Sequence, residues 1–246
     1  MKLLKLALCG AAASLCMAGS ALAEDKPTFA FNAGVTSDYI FRGTDQSLGP
    51  AAFGGIDMTY GPVYLGTWVS TVDFEGNTHN GNHTLAEVDI YGGVKPTIGP
   101  VTLDLGGIGY LYPKQPSGSH ENYFEFKAGA SVPAGPVALG AVVYYSPNFG
   151  FDTGHATYVE VNAAYTFSNK ATLSGALGHQ DLDVHKFGLN GYTTWNVGVT
   201  YPVTEHVSVD LRYIGTNSNA HDFFGEEKDY PFNAADRIVG TVKATW

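Results

Sequence analysis

Beyond its first 23 residues this chain has no cysteine; Cys9 and Cys16 both lie within that opening stretch. A disulfide framework and thiolate metal sites are therefore excluded for the remainder. Long apolar runs are missing too. After residue 23 nothing approaches the roughly 18–20 continuous apolar residues of a spanning helix, which argues against a helical membrane protein. Basic residues are scarce, 13 Lys and Arg against 23 Asp and Glu, for a formal charge of −10. Such an acidic chain is a poor nucleic-acid binder. No sustained 3.6-residue period is present, and neither a Gly-x-Ser-x-Gly elbow nor a His-Glu-x-x-His pair occurs.

The opening 23 residues read as a secretory signal. Lys2 and Lys5 precede an apolar stretch over residues 6–18, and Ala21-Leu22-Ala23 fits the small-x-small cleavage rule. Cleavage after Ala23 would leave a single domain over residues 24–246. Its formal charge becomes −12, since the two lysines depart with a segment that carries no acid. Glycine is abundant at 31 residues, about 13% against a usual 7%. No collagen-like period accounts for it; glycine among aromatic and β-branched residues suits curved, closely packed strands.

The dominant signal is period two. In residues 29–43 the odd positions are mostly apolar (Phe29, Phe31, Ala33, Val35, Tyr39, Phe41) and the even ones include Asn32, Thr36, Asp38 and Arg42. Alternate side chains of a strand point to opposite faces. The pattern recurs in residues 85–95, 122–132, 157–167, 194–201, 206–216 and 237–246. Charges that share a strand share parity: Glu87, Asp89 and Lys95; Glu125 and Lys127; Asp210 and Arg212; Arg237 and Lys243. Five more segments, 51–60, 63–74, 101–112, 137–146 and 171–180, bring the count to twelve. Two of them, 63–74 and 137–146, are apolar on both faces, which leaves their orientation open. Tight turns alternate with mostly longer polar loops along the whole chain. Even strand number and short–long alternation predict an all-β, closed antiparallel transmembrane barrel of about twelve strands, with short periplasmic turns and longer external loops. A soluble sandwich or lipocalin-like barrel would alternate as well, but does not need the regular loop pattern.

Several blocks are similar to a known family. Residues 34–43, reading Gly-Val-Thr-Ser-Asp-Tyr-Ile-Phe-Arg-Gly, then Gln46-Ser47, resemble the opening of the TorF-type porin family of proteobacteria. Gly66-Thr67-Trp68-Val69-Ser70, Glu87-Val88-Asp89-Ile90-Tyr91, Gly109-Tyr110-Leu111-Tyr112-Pro113, Asn122-Tyr123-Phe124-Glu125 and Tyr145-Ser146-Pro147 continue the likeness. The resemblance implies an outer-membrane barrel of largely uncharacterised role.

If the barrel closes, its polar face lines the interior. Asp38, Arg42, Glu87, Asp89, Lys95, Asp104, Glu125, Lys127, Glu160, Asp210, Arg212, Arg237 and Lys243 are the expected pore-lining residues. The outward set includes Phe31, Val35, Phe124, Phe126, Val197, Val209 and Val242, with an aromatic belt of Tyr60, Tyr64, Phe167, Tyr201 and Trp246 near the periplasmic boundary. Twelve strands falls between small barrels filled by side chains and large ones that leave channels. A narrow pore passing small hydrophilic solutes by diffusion is the expected function. A non-conducting surface barrel is the alternative, and a lipid-modifying enzyme ranks third. His79 and His83 sit on a loop with no carboxylate or thiol beside them in sequence, so no metal site is expected. His179 and His185 flank Asp181 and Asp183, but spacing alone makes no triad. Asp222, Glu226, Glu227 and Asp229 make the 217–235 loop acidic. No cofactor is expected. The expected partners are outer-membrane lipid and lipopolysaccharide, small solutes, and the barrel-assembly machinery through the C-terminal strand ending at Trp246; nucleic acid is not among them.

Overall fold

Alternation of apolar and polar residues builds strands that cannot bury both faces in one sheet layer, and closing the sheet resolves the conflict. In the computed structural model, which describes residues 26–74 and 83–246, twelve long strands close into an antiparallel barrel. They are β1 Thr28–Thr36, β2 Ala51–Tyr60, β3 Val63–Thr71, β4 Ala86–Val94, β5 Val101–Leu111, β6 Tyr123–Ala134, β7 Val137–Ser146, β8 Ala156–Thr166, β9 Thr172–Leu182, β10 Gly191–Pro202, β11 Val207–Thr216 and β12 Arg237–Thr245. Each pairs with its neighbours in sequence, and β1 meets β12 to complete the ring. Closure leaves no long strand edge unpaired.

The pairing register stacks like faces. Val242 of β12 lies opposite Val35 on one side and Val209 on the other. All three are outside, as are the remaining residues of the expected outward set; Phe31 is 47% and Val35 56% exposed. The buried positions are polar: Glu125 is 1% and Glu87 2% exposed. This inverts the distribution of a soluble protein, in which charged residues are almost never fully buried unless paired.

The two ambiguous strands are settled by their neighbours. In β3, Leu65 and Val69 face out, whereas Trp68 packs inside against Tyr39 at 5.4 Å between ring centroids. In β7, Leu139, Val143 and Tyr145 face out and Tyr144 faces in. The expected belt needs one correction. Tyr64 turns inward, where its hydroxyl donates to Asp104 Oδ1 at 2.8 Å. It shares parity with Trp68 on β3, and a partner inside outweighs its place beside a turn.

Two short-turn connections are Gly-Pro pairs, Gly61-Pro62 and Gly135-Pro136. The glycines have φ of 56° and 66°, the left-handed value that a type II′ hairpin requires at its first central position. The other end carries the long connections, including α1 Val184–Phe187 and α2 Ser218–Phe224. Strand β1 stops at Thr36 rather than running to residue 43, and β3 stops at Thr71 rather than 74. The chain leaves the wall at Thr36 because residues 37–50 turn into the barrel.

Candidate functional site

The interior is organised around that inward segment. Ile40–Phe41 pairs with Thr44–Asp45 in a small hairpin whose turn is Arg42-Gly43. Both turn residues have positive φ, 48° and 86°, the type I′ geometry that matches strand twist. A side chain at Gly43 would run into Thr216 and Thr194 on the facing wall. Arg42 holds a left-handed conformation that costs a non-glycine residue on the order of 1 kcal/mol, so its contacts must over-determine it.

They do. The Arg42 guanidinium donates to both oxygens of Glu125, at 2.8 and 2.7 Å, and to Gln180 Oε1 at 3.1 Å. Its Cζ lies 4.4 Å from the Tyr158 ring centroid, 4.7 Å from Phe41 and 4.9 Å from Tyr144. A planar fork meeting a carboxylate in two bonds is the strong form of ion pair, and ring faces add cation–π attraction. The hairpin is tied across the barrel axis, from β12 side to β6 and β9.

A second set of contacts holds the hairpin's other arm. Arg237 of β12 donates to Asp38 and Asn233, and to Asp45 at 2.8 Å. The backbone N–H of Asp45 donates to the Asn233 carbonyl at 3.0 Å, and that of Phe232 to the Asp45 carbonyl at 2.8 Å. Asp73 N–H donates to the Gln46 carbonyl at 2.7 Å. The hairpin is thus stitched to the two loops that follow β3 and β11. Above it, Phe74, Phe151 and Phe232 come together from three connections, with Phe74 at 4.6 Å from Phe232 and 5.3 Å from Tyr112. The long-loop end is therefore constricted by a hairpin and roofed by rings.

The short-turn half is held by ion pairs and hydrogen bonds between facing strands. Asp104 accepts from Lys127 at 2.6 Å, with Lys95 3.7 Å away. Arg212 donates to Asp210, to Asn196 at 2.7 Å and to Ser174 at 3.0 Å. Glu160 accepts from Tyr158 and Asn162. Lys243 is buried on the inner face of β12.

Every residue expected to line the pore lies inside the barrel or at its short-turn rim. Period-two reasoning missed Asp45, Asp57 and Gln180. Asp57 accepts from Tyr91 at 2.7 Å, and its parity on β2 could have found it; so could that of Gln180 on β9. Asp45 had no such signal, because it reaches the interior through a loop. With Asp45 and Asp57 added to the expected pore-lining residues, nine carboxylates stand against six cations among the described residues.

The candidate histidines are scattered. His179 Nδ1 lies 3.0 Å from Thr193 Oγ1 on the outer face. Asp183 caps α1 by accepting from the His185 backbone and stands 3.3 Å from His155. His83 Nε2 is 3.5 Å from Asp73, and His79 lies outside the described residues. In the acidic last loop, Glu226 is 2.9 Å from His221. On the outer loops a cavity of about 330 Å³ is lined by Gln115, Ser117, His120, Asn122 and Asp152 among others.

Comparison with known proteins gives a family and a fold. The family model described as "Bacterial protein of unknown function (Gcw_chp)" matches residues 20–246. No curated protein matches the sequence. Among solved structures, the KdgM porin is similar with a TM-score of 0.58 at 10% identity, over 88% of this chain and 99% of that one. The NanC porin is similar with a TM-score of 0.55 at 10% identity, over 89% and 98%. A KdgM porin complex with disordered oligogalacturonate has a TM-score of 0.56 at 10% identity, over 89% and 98%.

Proposed function

The chain belongs to the Gcw_chp family of bacterial proteins, and from that premise we propose that it is an outer-membrane, porin-like channel for small hydrophilic solutes, of the TorF type its motifs resemble. The carrying observation is the closed barrel turned inside out, apolar without and charged within. An exterior of this kind is matched to lipid, and lipopolysaccharide would meet the long-loop end. The N-terminal segment would export the chain, and the strand ending at Trp246 would engage the assembly machinery. Conduction is passive: an aqueous path whose selectivity comes from width and charge, with no energy coupling and no catalysis.

The sign of the interior sets the selectivity. Among the described residues, nine inward carboxylates against six cations attract positive solutes, and the acidic loop before β12 strengthens the field at the mouth. One KdgM porin structure holds disordered oligogalacturonate, a polyanion; the acidic balance here does not favour such a solute. The expected result in planar bilayers is a small conductance whose reversal potential under a potassium chloride gradient is cation-selective. Selectivity should grow at low salt, as screening over about 10 Å at 0.1 M is relaxed. Clear anion preference would sink the electrostatic argument. The hairpin and aromatic roof favour a second reading, a sealed structural barrel, which an absence of current steps in well-folded protein would support.

Acid should tighten the constriction. Burial in the docked segment pushes the Asp38 carboxyl up to about 6 from 3.8; Asp45 adds to the rise and Arg237 opposes it. The docked segment therefore binds this proton better than a lifted, solvated one. Docking is strongest below the solvated value and weakens as pH rises through the docked one. Current is expected to increase from about pH 4 to about pH 7, and Asp38→Asn should flatten that profile. A wild-type profile that falls over the same interval would reverse the assignment.

A further inference from the structure

We propose that the constriction is a binding site for an organic cation carrying a guanidinium or primary ammonium group, anchored by Asp89, with Arg42 as its resident self-ligand.

Three carboxylates gather beside the hairpin, and their partners differ. Glu87 accepts from the hydroxyls of Tyr39 and Tyr112, each at 2.7 Å. Glu125 accepts from Arg42 and from Tyr110 at 3.1 Å. Asp89 is 9% exposed, and its Oδ1 has no hydrogen-bond partner among the described residues. One guanidinium thus stands against three buried acids, and a buried charge without a partner is strongly disfavoured.

The walls around Asp89 suit an organic cation. Its cross-strand partners are Trp68 on β3 and Tyr110 on β5. Both are inside: Tyr110 is buried, and Trp68 packs against the cluster of Tyr39, Tyr110 and Tyr112. A carboxylate between aromatic rings is the chemistry that holds guanidinium and ammonium groups. Arg42 displays the same recognition in this interior, with a two-bond carboxylate, an amide and three rings. A solute with the same group competes with it, reaching Asp89 as the hairpin lifts.

The inference rests on the aqueous lumen proposed above, so its test is direct binding rather than current. Agmatine carries both groups and is the probe; urea is the uncharged control. The full barrel in detergent micelles, checked for folding by heat-modifiable gel mobility, is titrated by calorimetry. Wild type is expected to bind agmatine and not urea. Asp89→Asn should weaken binding at least tenfold, and Arg42→Ala should tighten it by removing the competitor. Equal affinity in wild type and Asp89→Asn, or no binding by either wild type or Arg42→Ala, would overturn the site. Agmatine binding that depends on Asp89, in a barrel that passes no current, would uphold the site and reject the channel. A conducting barrel indifferent to agmatine would reject the site and leave the channel.

Discussion

Arg42→Ala is expected to raise single-channel current severalfold. The reason lies in what the truncation leaves behind. Glu125 is 1% exposed, and with the hairpin docked it would be a buried carboxylate stripped of its fork. Removing one partner of a buried pair costs about 3–5 kcal/mol. That cost falls on the docked arrangement alone, because a lifted hairpin leaves Glu125 to water. The docked-to-lifted ratio should therefore drop by about two to four orders of magnitude, although Arg237, Asp45 and Asn233 still hold the other arm. Arg42→Lys keeps the charge and loses the two-bond geometry, so it should fall between the two. Planar-bilayer recording reads the result as longer or larger open events. An unchanged current in folded Arg42→Ala would mean that the hairpin does not set the constriction.

Leu211→Arg is expected to block assembly, whereas Ser208→Arg on the same strand is tolerated. Leu211 sits at the middle of β11 and is 62% exposed on the outer face. Its cross-strand neighbours are Val199 and Gly240, and neither offers an anion. A lipid-facing arginine at the midplane costs roughly 2–4 kcal/mol, a large share of a stability that is itself only about 5–15 kcal/mol. Ser208 has the opposite parity and faces the polar interior near the short-turn rim, opposite Lys243, so an arginine there does not meet lipid. Folding into lipid vesicles, followed by gel mobility with and without heating, separates the two. Equal yields would contradict the face assignment for β11.

How far the sequence could be read depended on which residues obey a period. Glu87 with Asp89, Glu125 with Lys127, and Asp210 with Arg212 each share parity, and each pair does face the interior. A strand has only two faces, so one apolar neighbour is enough to say which way a charge points. Tyr64 shows where that logic was overruled by position; its place beside a turn suggested a belt, but β3 parity and the Asp104 carboxylate put it inside. Residues 37–50 show where the logic stops. Asp38 and Arg42 continue the even positions of β1, so alternation extended the strand through them. The chain instead leaves the wall at Thr36, and both side chains reach the interior from a loop.

By itself the sequence determined the strand number, the closed antiparallel barrel, the inner and outer faces of the strands whose polar and apolar residues alternate, and the alternation of short and long connections. All of these follow from local alternation and turn residues, which act over a few positions. Only the tertiary structure decided what fills the barrel. The bonds from Arg42 to Glu125 and Gln180 span 83 and 138 residues, and that from Arg237 to Asp45 spans 192. Partners so distant carry no common period; they meet because ring closure brings β6, β9 and β12 around one axis, and a loop free to turn inward finds the charges that water no longer reaches.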